Sequence, residues 1–256
     1  MVMKNNSKEN QIYIDAFFQR ISNLSNKIDN NKETFGFFLY NAYFSLFDVI
    51  TKYAFPNESS LRYRYINLIS KYSDWLYKNY LSITQLNCLI NRDDGRLNNS
   101  ILKEHFQQKI DQKGLFAIKN GIIDKPEKYD LTMDELMSGL NKDQMEEFKQ
   151  KKELIMKARY DSLFYYMRCL CVHGLQFPTP NPAEFKQDGY TPRYYVMSEI
   201  NDTVGKIVNP EYVLWFPPNL ISELFKECLY NLHRDAVTKP EDIFKGYYVC
   251  WIDQFE

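Results

Sequence analysis

The sequence predicts an all-α protein, a helical bundle carrying a small β-hairpin after its motif helix. Three observations predict it. Apolar residues recur at helical spacing through most of the chain before Gly174. Only 9 of the 256 residues are Gly, too few for a turn-rich β architecture. β-type composition is confined to one short stretch, residues 193–216.

The elements follow in order. The polar start MVMKNNSKEN predicts a disordered leader over 1–8. Residues 9–28 set Ile14, Phe17, Phe18, Ile21, Leu24 and Ile28 on one helical stripe. Residues 32–54 are apolar nearly all round, with Phe35, Phe37, Phe38, Tyr40, Tyr43, Phe44 and Phe47, and so predict a central helix. Pro56 ends it. A third helix, 58–80, faces Leu61, Tyr65, Leu68, Ile69, Tyr72, Trp75 and Leu76 inward. Ser82 with Gln85 forms a capping box and starts a short helix that stops by Asn91. A further helix covers about 99–112, and 113–130 is irregular. Thr132 with Glu135 repeats the capping pattern before a short helix ending near Gly139. Asn141 caps a long helix running to His173, charged in its first half and apolar in its second.

After Gly174 the prolines at 178, 180, 182 and 192 exclude helix from 177–192. RYYVMSEI and KIVNPEYVLWF then read as a hairpin, with Pro210 weakening the second strand. A clean helix follows at 219–235, and the apolar tail is expected to pack back. Residues 9–256 are read as one domain with a C-terminal extension from about 177.

Composition removes several classes of function. The net charge of -1 gives no overall basic field for nucleic acid, so any RNA contact must be a local patch. The five cysteines are odd in number and lack CxxC spacing, which argues for a reducing compartment and against a disulfide framework or zinc ribbon. Cys169 and Cys171 are read as small buried hydrophobes. No run approaches the roughly 18 apolar residues of a membrane helix, and no apolar signal region follows the leader. A cytoplasmic protein without a membrane segment is expected.

The chemistry concentrates in DSLFYYMRCLCVHG, residues 161–174. Arg168 can hold a phosphate with a planar fork of donors, and His173 can exchange a proton near neutral pH. Together they point to phosphodiester chemistry without a metal or other cofactor. Five residues advance an α-helix by about 500°, which leaves the two side chains about 140° apart. Either the last turn unwinds, or each residue meets its counterpart across a two-fold axis. The plainer alternatives are a His bonding free carbonyls at a helix end and a surface Arg paired with Asp161.

An Arg, four residues and a His at the end of a helix, here RCLCVHG within a helical bundle, resembles the HEPN superfamily. The resemblance covers residues 9–173 in architecture. It implies a metal-independent endoribonuclease that dimerises through the 141–173 helix, of the kind found in toxin–antitoxin, phage-defence and RNA-processing systems. His173 would then move a proton at the ribose 2′-hydroxyl or the leaving oxygen, and Arg168 would stabilise the phosphorane. The product would carry a 2′,3′-cyclic phosphate. RNA is the implied substrate and an antitoxin an implied partner. The residue after the Arg, commonly polar in that superfamily, is Cys169 here.

Residues near the pair on the helical wheel are candidates for substrate contact: Tyr166 and Cys169 on the His173 edge, Asp161 on the Arg168 edge. Arg62 and Arg64, interleaved with Tyr63 and Tyr65, form a second candidate RNA surface. His105 reads as a surface residue, and His233 with Arg234 as cations at a helix C-terminus. No phosphate-binding, dinucleotide or nucleophile-elbow motif is present. The second functional reading is a catalytically inactive helical dimer serving as a binding or adaptor module.

Overall fold

The computed structural model describes residues 7–32, 38–91, 96–118, 121–174, 190–201 and 206–238. They are mostly helical, with a small three-stranded antiparallel sheet, in agreement with the predicted class. The chain divides into two compact units. The first is drawn from residues 1–75, 167–176 and 221–256, the second from 76–166 and 177–220.

In the first unit, α1 (Ser7–Asn30) buries Ile14, Phe18, Ile21, Ser25 and Ile28. These positions alternate by four and three, so the stripe is narrow. Leu24, expected on it, is 42% exposed on its flank. The second helix, α2 (Phe38–Ala54), buries Tyr43, Phe44, Phe47 and Ile50. Residues 33–37 of the predicted span, with Phe35 and Phe37, lie outside the described residues. The third, α3 (Leu61–Tyr72), begins at Ser60, whose side chain accepts the Tyr63 N–H. It stops eight residues before the expected end at 80. Ser73 turns extended there, and its hydroxyl donates to the Ile69 carbonyl at 2.8 Å, a local bond that competes with continued helix. Leu76, expected in the core, is consequently 81% exposed. Phe47 ties the unit together, its ring 5.1 Å edge-on from Phe225 and 5.8 Å from Tyr65.

The second unit holds α4 (Ile83–Asn91), α5 (Lys103–Lys113), β1 (Gly121–Ile123), α6 (Met133–Met137) and α7 (Lys142–Ile155). It also holds most of α8 (Tyr160–Cys169), then β2 (Arg193–Asn201) and β3 (Lys206–Trp215). The Thr132–Glu135 capping box forms and opens α6, and Asn141, expected as a cap, opens α7 in a capping box completed by Gln144. Gly139 follows α6 at φ 88°, a left-handed turn that favours glycine. The core is packed by Leu86, Ile90, Phe106, Ile110, Phe148 and Ile155. The predicted hairpin is present, but a third strand joins it. β1, in a stretch expected to be irregular, pairs antiparallel with β2 through Ile122 and Tyr195. Pro210 is tolerated because the register shifts beside it. Met197 pairs with Glu211 and Glu199 with Val208, so β3 carries one extra residue there, a bulge that spares Pro a ladder hydrogen bond.

The long helix expected over 141–173 is broken. α7 ends at Ile155, a 3₁₀ turn spans Met156–Ala158, and Arg159 is extended. No Gly or Pro marks the break. Its cause is tertiary: the Ser82 N–H bonds the Ala158 carbonyl, and the Tyr160 N–H bonds the Tyr80 carbonyl, both at 2.9 Å. These backbone groups found partners outside the helix.

Asp130, fully buried, stands beside this break. Its carboxyl accepts from the Ile83 N–H at 2.9 Å, from the Tyr194 hydroxyl at 2.8 Å and from the Tyr160 hydroxyl. The Tyr194 hydroxyl also lies 2.7 Å from Ser82 Oγ. Burial pushes the Asp130 carboxyl up to about 7, against the pull of those hydrogen bonds. A pH dependence follows. Below about pH 4 both folded and unfolded chains hold the proton and no penalty exists. Between about pH 4 and 7 the unfolded chain ionises first, so stability falls as pH rises, and it levels above 7. Asp29 acts oppositely at the acid end. Burial works against its charge, but Lys226, Tyr43 and Ser222 outweigh that and hold its carboxyl below the usual range. Denaturant unfolding measured across this range is expected to show the decline from pH 4 to 7, and Asp130→Asn to remove it.

Candidate active site

Arg168 occupies the last turn of α8, and the chain then widens into a π turn over Leu170–Gly174. Met167 and Cys171 are buried and anchor that stretch. A π turn bonds residues five apart, which is the spacing of Arg168 and His173. The 140° separation of a straight α-helix is thereby removed. Arg168 Nη1 lies 2.8 Å from His173 Nε2 within a single chain.

The guanidinium is fixed from its other side. Asp48, on α2, accepts from Arg168 Nε at 3.2 Å and from Nη2 at 2.5 Å. Tyr65, on α3 and wholly buried, donates its hydroxyl to Asp48 Oδ1 at 2.6 Å and approaches the Phe44 carbonyl at 3.1 Å. Arg168 itself is 7% exposed, whereas His173 is exposed. Burial works against the charge of Arg168, but the bonds and charge of Asp48 outweigh it and push its pKa further up. Burial, and then the Asp48 charge, push the Tyr65 phenol well above its usual value, so Tyr65 is a donor. A guanidinium has only donors, so His173 Nε2 must accept. The ring is therefore neutral in this arrangement, with its proton on Nδ1. The site joins a charged, rigidly held phosphate-type donor to an imidazole nitrogen whose lone pair accepts from it.

The other predicted residues are placed as follows. Cys169 adjoins Arg168 and is half-buried. Cys171 is buried, and burial pushes its thiol up to about 12, which makes it a poor nucleophile. Asp161 does not pair with Arg168. It is buried and bound by Arg159, with Nε at 2.8 Å from Oδ1, in the second unit. Tyr166 is partly exposed, its ring 5.9 Å from that of Tyr165. The Arg62 guanidinium lies 5.7 Å from the centre of the Tyr63 ring, and Arg64 Nε donates to the Glu58 carbonyl. Both arginines thus have local structural contacts. His105, expected at the surface, is half-buried and its Nε2 lies 3.0 Å from the Leu136 carbonyl.

His233 does not serve as a helix-end cation. Its Nε2 lies 2.8 Å from Asp15 Oδ1, and its ring stacks on Phe18 at 4.6 Å. The hydrogen bond from His233 holds the Asp15 carboxyl below its usual value. The pair lines a groove of about 380 Å³ between α1 and the last helix, α9 (Pro218–Thr238).

Asp48 was not anticipated, and Tyr65, expected in the core, was not anticipated as its partner. The available signal was a lone carboxylate inside the apolar run FSLFDVI, a position that requires a partner. Among the described residues no group of His, Cys, Asp and Glu side chains could hold a metal ion. None of their helices is long and apolar enough to cross a membrane. No family model, curated protein or solved structure matches this chain.

Proposed function

We propose that this chain is a metal-independent endoribonuclease of the HEPN type, cutting RNA by attack of the ribose 2′-hydroxyl. The observation that carries the reading is the 2.8 Å approach of Arg168 Nη1 to His173 Nε2, with the guanidinium clamped by Asp48. The scissile phosphate replaces His173 as a partner of the guanidinium, and the 2′-hydroxyl donates to the freed Nε2. The 2′-oxygen bonds to phosphorus and His173 takes its proton. The P–O5′ bond breaks, and a protonated imidazole returns a proton to the leaving 5′-oxygen. Arg168 neutralises the charge that accumulates on the phosphorane oxygens. In a homodimer built through α8, two such sites supply one imidazole for each proton transfer. A toxin or defence effector restrained by an antitoxin in the cytoplasm is the setting proposed for this chemistry.

The test is cleavage of single-stranded RNA in excess EDTA, with analysis of the new ends. Cleavage that survives chelation and leaves 2′,3′-cyclic phosphate and 5′-hydroxyl ends supports the proposal. Loss of activity on chelation, or an inert protein over many RNAs, overturns it. A second reading, a non-catalytic helical binding module, draws on the low exposure of Arg168 and its structural pairing with Asp48. It predicts an inert protein. Gel filtration at micromolar concentration tests the dimer.

A further inference from the structure

We infer that Asp48, held in turn by Tyr65, is a positioning residue that fixes Arg168 and thereby the tautomer of His173; the kinetic half of this inference rests on the ribonuclease reading. The four groups form one directed chain within the first unit. Tyr65 donates to Asp48 at 2.6 Å, Arg168 donates to Asp48 through Nε and Nη2, and Arg168 donates onward through Nη1 to His173. Every direction is set. Tyr65 keeps its proton, the guanidinium can only donate, and the one nitrogen left to accept is His173 Nε2. The chain runs from a wholly buried hydroxyl to an exposed imidazole.

A purely structural ion pair would end at Arg168. Here a third N–H of the guanidinium reaches an exposed ring, and it does so through a π turn, a geometry concentrated at functional sites. The contact is buried on the Arg168 side and open on the His173 side, so what it fixes at the solvent is the imidazole. The arrangement is that of a base oriented by a second group which is itself anchored by a third. Asp48 touches no reacting atom. It determines which imidazole nitrogen is bare and where the guanidinium stands.

The experiment uses the full chain, wild type beside Asp48→Asn and Tyr65→Phe. Imidazole ¹⁵N–¹H spectra of His173 are recorded without RNA, at a pH where the ring is neutral. Wild type is expected to show the Nδ1–H tautomer, and Asp48→Asn to shift toward the Nε2–H form. In RNA cleavage, Asp48→Asn is expected to lower kcat by about 100-fold with little change in KM. Tyr65→Phe is expected to give a smaller loss of the same kind. Thermal melts identify folded variants, and Tyr65→Phe carries the test if Asp48→Asn fails to fold. A wild-type Nε2–H tautomer, an identical tautomer in the folded variants, or an unchanged kcat overturns the inference. If wild type cleaves no RNA, the ribonuclease reading falls, and the spectra still decide whether Asp48 sets the imidazole.

Discussion

His173→Ala is expected to lower RNA cleavage by about 100- to 10,000-fold, the range for loss of a general acid–base group, while leaving the fold intact. His173 is exposed, and its bond to Arg168 lies at the solvent end of the Tyr65–Asp48–Arg168 chain. Removing the ring takes one partner from the buried Arg168 but leaves both of its bonds to Asp48, so unfolding free energy should fall by only about 1 kcal/mol. Arg168→Ala would not allow this separation. It removes the partner of Asp48 and leaves that carboxylate beside a buried phenol, so activity and stability would fall together. Single-turnover cleavage in EDTA, paired with thermal melts, is the measurement. Equal activity of wild type and His173→Ala, both folded, would sink the assignment.

The largest expected loss of stability is at Asp130. Asp130→Ala should cost about 2–5 kcal/mol. The Ile83 N–H and the Tyr160 hydroxyl both lose an acceptor in a dry interior, at about 1–3 kcal/mol for each unsatisfied group. Tyr194 is less affected because Ser82 remains as a partner. Against a typical total of about 5–15 kcal/mol, this is enough to leave the second unit partly unfolded. Urea titrations of wild type, Asp130→Ala and Asp130→Asn check it, with Asn expected to fall between the other two. A loss under about 1 kcal/mol in Asp130→Ala would mean that the network contributes little.

The elements legible in the sequence are those specified by nearby residues. The helix stripes, the Thr132 capping box, the Asn141 cap, the hairpin and the Arg168–His173 pair all depend on residues within a few positions of one another. What escaped depends on distant partners. Nothing within Met156–Arg159 forbids helix; the break exists because Tyr80 and Ser82 supply competing backbone bonds. β1 is three residues long and is a strand only because β2 lies beside it. Asp161 looks like a partner for Arg168 on a helical wheel, but Arg159 binds it. The Asp48 clamp joins residues on three helices, and a lone acid in an apolar helix signals that a partner exists without saying which.

The π turn at Leu170–Gly174 amounts to an α turn with one residue inserted. The meeting of guanidinium and imidazole is therefore a matter of chain count as well as side-chain identity. Deleting Val172 would let the turn close up as ordinary α and place the imidazole four residues after Arg168, about 40° round from it, so the two groups should still face one another. The site therefore tolerates a shortened turn but not a straightened one: ordinary α geometry at the present length would swing the imidazole about 140° away from the guanidinium.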